Sequence, residues 1–502
     1  MPTALTPELK AVQAEIESYA RGFGLDFFLT FFELLDYDEL NEVASYGGFP
    51  IRYPHWRFGM TYERMAKGYE FGLQKIYELV INSDPCYAYL MKANSRVDQK
   101  TVMAHVLGHC DFFKNNFWFS KTDRKMFNEM ANHGTRIRKY IDLHGLTHVE
   151  SFIDTCLSLE NLVDPFLPFA KPKLPPRRDT SAIDAEEFRV WRIRTKSYMD
   201  QFVNPPEFIE AQKRELEERK EKRKQKKRAY PGLPQKDVLL FLIEHAPLER
   251  WERDVLSIIR DESLYFSPQA QTKIMNEGWA VYWHSRIMTE KVLKASEVVD
   301  YADHTAGTLS TSPGQINPYK IGVELFRDIE DRWNKGKFGL EYEQCDSMDT
   351  LRAWDRKLGL GQKKIFEVRR IYNDITFVDE FLTEEFAKEQ KLFTWRFNPQ
   401  TGRYEIESRD WRKVKERLLF GLTNQGHPYI TVEDGNFRNR GELYLRHRHD
   451  GVDLEMRYAH DTLKNLYRIW QRPVHIETLV EGEGKIVSFD GEKVSEHDFK
   501  AR

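Results

Sequence analysis

Two histidines one helical turn apart, His105 and His109, share a stripe with Val102, Val106 and Phe113, the apolar face of a helix. A distant segment repeats the pattern with a carboxylate: Ile274, Glu277, Val281, His284 and Met288 alternate by three and four. Polar groups on an inward stripe are costly unless paired, protonated to neutrality or bound to metal. Two imidazoles and a carboxylate on such faces read first as a metal site, with His105, His109 and Glu277 as ligands. A blander alternative stands beside it, in which Glu277 pairs with a histidine in an ordinary satisfied core.

Local signals frame the second helix. Ser267 is a candidate cap and Pro268 suits a first helical position. Gly278 costs roughly 1 kcal/mol against alanine in a helix interior, which points to something approaching the backbone there. Trp279 and Trp283 are expected to flank the site and limit water. In the zincin motif His-Glu-x-x-His the glutamate is the general base; here Val106 fills that position. The segment 276–280 (NEGWA) looks like the second-helix motif of zincins whose third ligand is a downstream glutamate. The base must then come from elsewhere: His284 is the first candidate, and Glu150 and Asp111 follow. A divalent metal is expected, zinc first, but two histidines and one carboxylate equally suit iron or manganese, so ligand types do not assign it. A second pair, His144 and His148, is discounted, because Thr147 to Glu150 has the form of a capping box that leaves His144 in the preceding turn.

At 502 residues the chain exceeds one core, and 41% hydrophobic content is enough for two or three. A net charge of -3 gives no global field favouring nucleic acid or an anionic membrane. The opening residues lack the basic and apolar regions of a signal peptide, and the longest apolar run (238–243) is too short to cross a bilayer. Four cysteines, Cys86, Cys110, Cys156 and Cys345, do not make a disulfide framework in so long a chain. A cytoplasmic location with reduced thiols is expected, and Cys110, about 100° round the helix from His109, reads as a buried thiol.

Organisation follows periodicity and composition. Residues 1–165 read as the helical N-terminal part of a body, including a helix over 27–40 and a long stripe through Tyr62, Met65, Tyr69, Leu73, Ile76 and Val80, ended at Pro85. Residues 166–234 form a Pro-rich and basic insertion, whose charged run at 213–228 reads as a solvated segment and not a nucleic-acid site. Residues 235–390 return to helix and complete the site, with Asn317-Pro318 capping one helix and His304 in a loop. Residues 391–502 alternate or carry strand formers around two helices, an α+β module in which His447 and His449 read as exposed decoration. The fold class is therefore a mainly α-helical body with a smaller C-terminal α+β module.

Five segments carry a family resemblance: 76–90 (IYELVINSDPCYAYL), 105–116 (HVLGHCDFFKNN), 275–284 (MNEGWAVYWH), 316–322 (INPYKIG) and 374–381 (DITFVDEF). On these the chain closely resembles the stage V sporulation protein R (SpoVR) family. The resemblance implies a role in spore cortex formation or stress response, beside a PrkA-type kinase and a von Willebrand-type partner. It implies a process and no reaction. A metal-dependent amidase or peptidase is the leading expectation, and a non-catalytic regulator acting with the kinase system is the alternative.

Overall fold

A computed structural model describes residues 3–70, 78–170, 204–226 and 230–499. Leu73, Ile76, and most of the Pro-rich stretch lie outside them. The chain divides into two compact units, one of residues 1–151 and 261–427, the other of 152–260 and 428–502. As the composition implies, the body is mainly helical and the C-terminal region is an α+β module.

The first unit is built on three helices. The His105 helix (Arg96–Asn115) starts at Ser95, whose hydroxyl accepts from the Asp98 amide, and is buried along almost its whole length. The Glu277 helix (Lys273–Ile287) packs between it and the helix Pro318–Lys335, which Asn317 caps as expected through the amides of Tyr319 and Lys320. Glycines set these spacings. A Cβ on Gly108 would lie 2.8 Å from the Ala280 Cα, and one on Gly278 would lie 2.3 Å from the Gly322 carbonyl carbon. The approach inferred from Gly278 is thus the backbone of a neighbouring helix. Aromatic side chains, among them Trp279, Trp283, Phe326 and Phe377, fill the core around this sandwich.

The N-terminal part is not purely helical. Strands β1 (Thr3–Ala4), β2 (Thr30–Leu35), β3 (Glu78–Ile81) and β4 (Cys86–Met91) form a sheet ordered β1-β2-β4-β3, with β2 and β4 parallel. Residues 30–35 and Val80 are therefore strand, against the helical reading. Their apolar runs lack the clean alternation of a half-exposed strand, and periodicity does not separate such runs from buried helix. The missed local signal is Asp36, whose capping box with Glu39 starts a new helix, Tyr37–Ser45, directly after β2.

Two other corrections concern helix ends. Ser267 and Pro268 lie inside the helix Arg250–Gln271, and the break falls at Thr272. His304 is helical, within Val298–Thr308, and pairs with Asp98.

The composition changes near 391, but the unit boundary falls at 427/428. The hairpin β5 (Thr394–Asn398) and β6 (Arg403–Ser408) and the helix Trp411–Leu422 stay with the first unit, because Val414 and Leu418 are buried in its core. The second unit holds a five-stranded sheet, β7 (Tyr429–Phe437), β8 (Glu442–Arg448), β9 (Val474–Val480), β10 (Glu483–Phe489) and β11 (Val494–Asp498), in the order β11-β10-β9-β8-β7. Its one parallel pair, β8 with β9, is bridged by the helix Met456–Trp470. His447 faces inward and hydrogen-bonds Thr478, and His449 is half-buried and pairs with Asp453, so neither is exposed decoration. The basic run lies on the helix Pro206–Lys226, with its last residues outside the described ones. No helix among the described residues is long and apolar enough to cross a membrane.

Candidate metal centre

The packed helices bring three sequence-predicted ligands together. Glu277 Oε2 lies 3.5 Å from His105 Nε2 and 3.4 Å from His109 Nε2. One ligand atom from each residue falls within 4.8 Å of the others, and each of the three residues is 5% exposed or less. Charge-assisted hydrogen bonds between nitrogen and oxygen run to about 2.7–2.9 Å. Two donor atoms on one tetrahedral zinc, bonded at about 2.0–2.1 Å, stand roughly 3.3 Å apart. The observed spacings match the second geometry better than the first.

The outer ring nitrogens are held as metal-binding histidines require. His109 Nδ1 donates to Asn276 Oδ1 at 2.9 Å, which directs its Nε2 lone pair at Glu277. His105 Nδ1 shares a hydrogen bond with His284 Nδ1 at 2.8 Å. Without a cation, the convergence of carboxylate and imidazole lone pairs requires protons on the rings. Burial alone raises the Glu277 carboxyl; His109, His105 and Lys273 outweigh it and hold the group well below the usual carboxylate range. Lys273, one helical turn before Glu277, pairs with its other oxygen, Oε1. The Tyr319 ring lies 6.3 Å from the His105 ring, closing another side. The donor set and its supports therefore fit a divalent cation.

The remaining candidates fall in different places. His284, 5% exposed, meets the site through His105. Glu150 accepts from the Trp56 amide at 3.1 Å, at the start of another helix. Asp111 is bound on both oxygens: Oδ1 by the Asp26 amide at 2.7 Å and Oδ2 by Trp279 Nε1 at 2.8 Å, with Arg369 alongside. Burial raises it to about 6 against the pull of Arg369. Its bonds make it a joint between elements of the core. Trp279 and Trp283 pack on Phe366, on the face of their helix about 200–240° from Glu277, so they do not flank the site. His144 and His148 are both exposed, on separate helices. Cys110 is fully buried, and burial pushes its thiol well up.

Two supporting residues escaped the sequence reading. Asn276 adjoins Glu277, and its amide gave no pattern of its own. Asp374 closes the start of the Glu277 helix: its Oδ2 accepts from the Ile274 amide at 2.8 Å and its Oδ1 from Met275 at 2.9 Å. Such caps contribute about 1–2 kcal/mol. Burial raises the Asp374 carboxyl from the usual 3.8 to about 7, against those two amides. A folded value above the unfolded one stabilises the fold below the ordinary carboxylate range, and that contribution is lost as pH rises toward 7. The stability advantage of the wild type over Asp374→Asn should therefore shrink from pH 4 to pH 7 in urea melts. An advantage that grows over that window would contradict the assignment.

Comparison with known proteins shares one boundary with the compact units, that at 427/428. Residues 4–427 match the family described as SpoVR like protein, and residues 428–481 match the SpoVR-like C-terminal domain. The second match starts where the unit boundary falls. The chain is 31% identical over 495 residues, 92% of its length and 90% of the relative's, to the uncharacterized protein YcgB of Escherichia coli (strain K12). No solved structure matches it. With the three packed helices, the candidate ligands and strands β7, β8 and β9 of the C-terminal sheet inside the matched segments, the chain belongs to the SpoVR-like protein family.

Proposed function

We propose that this chain is a metal-dependent hydrolase, an amidase or peptidase, with His105, His109 and Glu277 holding a divalent cation. Zinc suits the nitrogen-rich donor set, and iron or manganese would be accepted by the same ligands. The observation that carries this reading is the convergence of one carboxylate oxygen and two Nε2 atoms at 3.4–3.5 Å in a buried site. A bound divalent cation supplies Lewis acidity toward a carbonyl and acidifies water. The chain's own residues position and protect: Asn276 fixes the His109 tautomer, His284 orients His105, and Lys273 steadies Glu277. His284 is the proton-handling group nearest the ligands in this reading, while Glu150 is engaged at Trp56.

The substrate class proposed is an amide in a cell-wall precursor or regulatory peptide, in keeping with the sporulation and stress processes that the family resemblance implies. One observation favours a second reading, a non-catalytic regulator acting with a PrkA-type kinase and a von Willebrand-type partner. Val106, fully buried, occupies the place of the zincin base.

Muropeptide fragments incubated with zinc-, iron- or manganese-loaded chain should release new amines by mass spectrometry, and His109→Ala should release none. Absence of product with every metal, in protein that binds one metal per chain, would overturn the hydrolase and leave the regulator.

A further inference from the structure

A cavity of about 310 Å³ opens in the first unit between the loop 311–317, the run 390–395 and the helix Trp411–Leu422. That volume suits a small organic ligand. Ile321, Leu392, Phe393, Trp395 and Leu418 supply an apolar and aromatic wall. Three cations, Lys320, Lys391 and Arg417, line the same cavity, and among the described residues no acidic side chain does. Arg417 is already engaged, 3.1 Å from both Glu407 Oε2 and the Trp395 carbonyl oxygen. Lys320 and Lys391 make no ion pair among the described residues. Two uncompensated ammonium groups beside an apolar wall match an apolar molecule that carries an anionic end.

The mouth of the cavity is held in shape by the chain itself. Gly314, at φ +77°, lies under the Tyr404 ring, where a Cβ would come within 2.9 Å of Cδ1. Tyr404 belongs to β6, so the hairpin pins the loop that forms one rim. The cavity also shares a helix with the metal centre. Lys320 and Ile321 line it, Tyr319 faces His105, and Gly322 packs on Gly278.

We propose that this cavity is a binding site for an amphipathic anion: a small aromatic or aliphatic body bearing one carboxylate or phosphate, with Lys320 and Lys391 receiving the charge. Three probes test it in the full chain by fluorescence anisotropy: 2-naphthoate, 2-naphthyl phosphate and 2-naphthol. At least one anionic probe should bind saturably, one per chain, and at least tenfold tighter than 2-naphthol. The tighter of the two identifies the preferred head group. Lys320→Glu with Lys391→Glu should weaken that anion at least tenfold and leave 2-naphthol unchanged. Leu418→Trp, which fills the apolar end, should weaken all three, with near-UV circular dichroism confirming that both variants fold. Equal affinity for charged and neutral probes, or an anion affinity untouched by the charge reversal, would overturn the assignment.

Discussion

Gly278→Ala is expected to destabilise the first unit by about 3 kcal/mol, as overpacking does when rigid backbone is the obstacle. Propensity argues the other way, since alanine is favoured over glycine in a helix interior by about 1 kcal/mol. Sterics decide the sign. The new Cβ would lie 2.3 Å from the Gly322 carbonyl carbon and 2.5 Å from its Cα, and backbone cannot turn aside as a flexible side chain does. The helices Lys273–Ile287 and Pro318–Lys335 must then separate, and Glu277 moves with the first of them. Gly322→Ala should behave alike, because its Cβ would meet the Ile274 carbonyl oxygen at 2.2 Å. Gly59→Ala is the matched control: it is exposed, helical, and has nothing within 4 Å of its Cβ position, so it should be neutral or stabilising. Urea midpoints followed by far-UV circular dichroism measure all three. A Gly278→Ala protein as stable as wild type would mean that the helices do not approach through these glycines.

The same glycine shows what the sequence made legible. An interior glycine beside a candidate ligand implied a close backbone approach, and the structure supplies Gly322. Helical periodicity located the His105, Glu277 and Pro318–Lys335 helices, and Asn317-Pro318 marked the start of the last. Strand formers located most of the C-terminal sheet. What stayed hidden has physical causes. Strands β2 and β4 pair in parallel, and their runs TFFELL and CYAYLM carry too little polar alternation to declare a strand. The start of the Glu277 helix is closed by Asp374, about a hundred residues away, so the local candidates Ser267 and Pro268 misled. Strand β11, VSEHD, is short and polar and lacks an apolar period, and β6, RYEIES, alternates over only two apolar residues, Tyr404 and Ile406.

For the centre itself, the three residues His105, His109 and Glu277 were legible as inward polar groups, and their convergence needed the fold. Of their supports, His284 was legible on the Glu277 face and the others were not. Asn276 and Tyr319 act through spacing across helices, which no single segment reveals, and Lys273 reaches Glu277 from one turn earlier on the same helix. Asp111 illustrates the opposite error: a carboxylate two residues from His109 suggested catalysis, and its bonds to Asp26, Trp279 and Arg369 give it a joining role.

The largest functional effect expected is loss of metal from single ligand variants. Removing one of three protein ligands from a structural or catalytic cation costs most of its affinity, since bonds to ordered, deprotonated ligands supply it. Glu277→Ala also removes the only carboxylate of the three, leaving two neutral rings to hold a dication. Gly59→Ala should retain full occupancy, which separates loss of ligand from any general effect of substitution. The direct measurement is metal content by mass spectrometry on tag-free full chain purified without chelator, alongside His109→Ala and Glu277→Ala. About one divalent metal per chain in the wild type, and near none in either variant with the far-UV spectrum unchanged, is the expected result. Wild-type protein without metal, even after incubation with zinc, iron and manganese, would contradict the metal centre and make His105, His109 and Glu277 a protonated structural network.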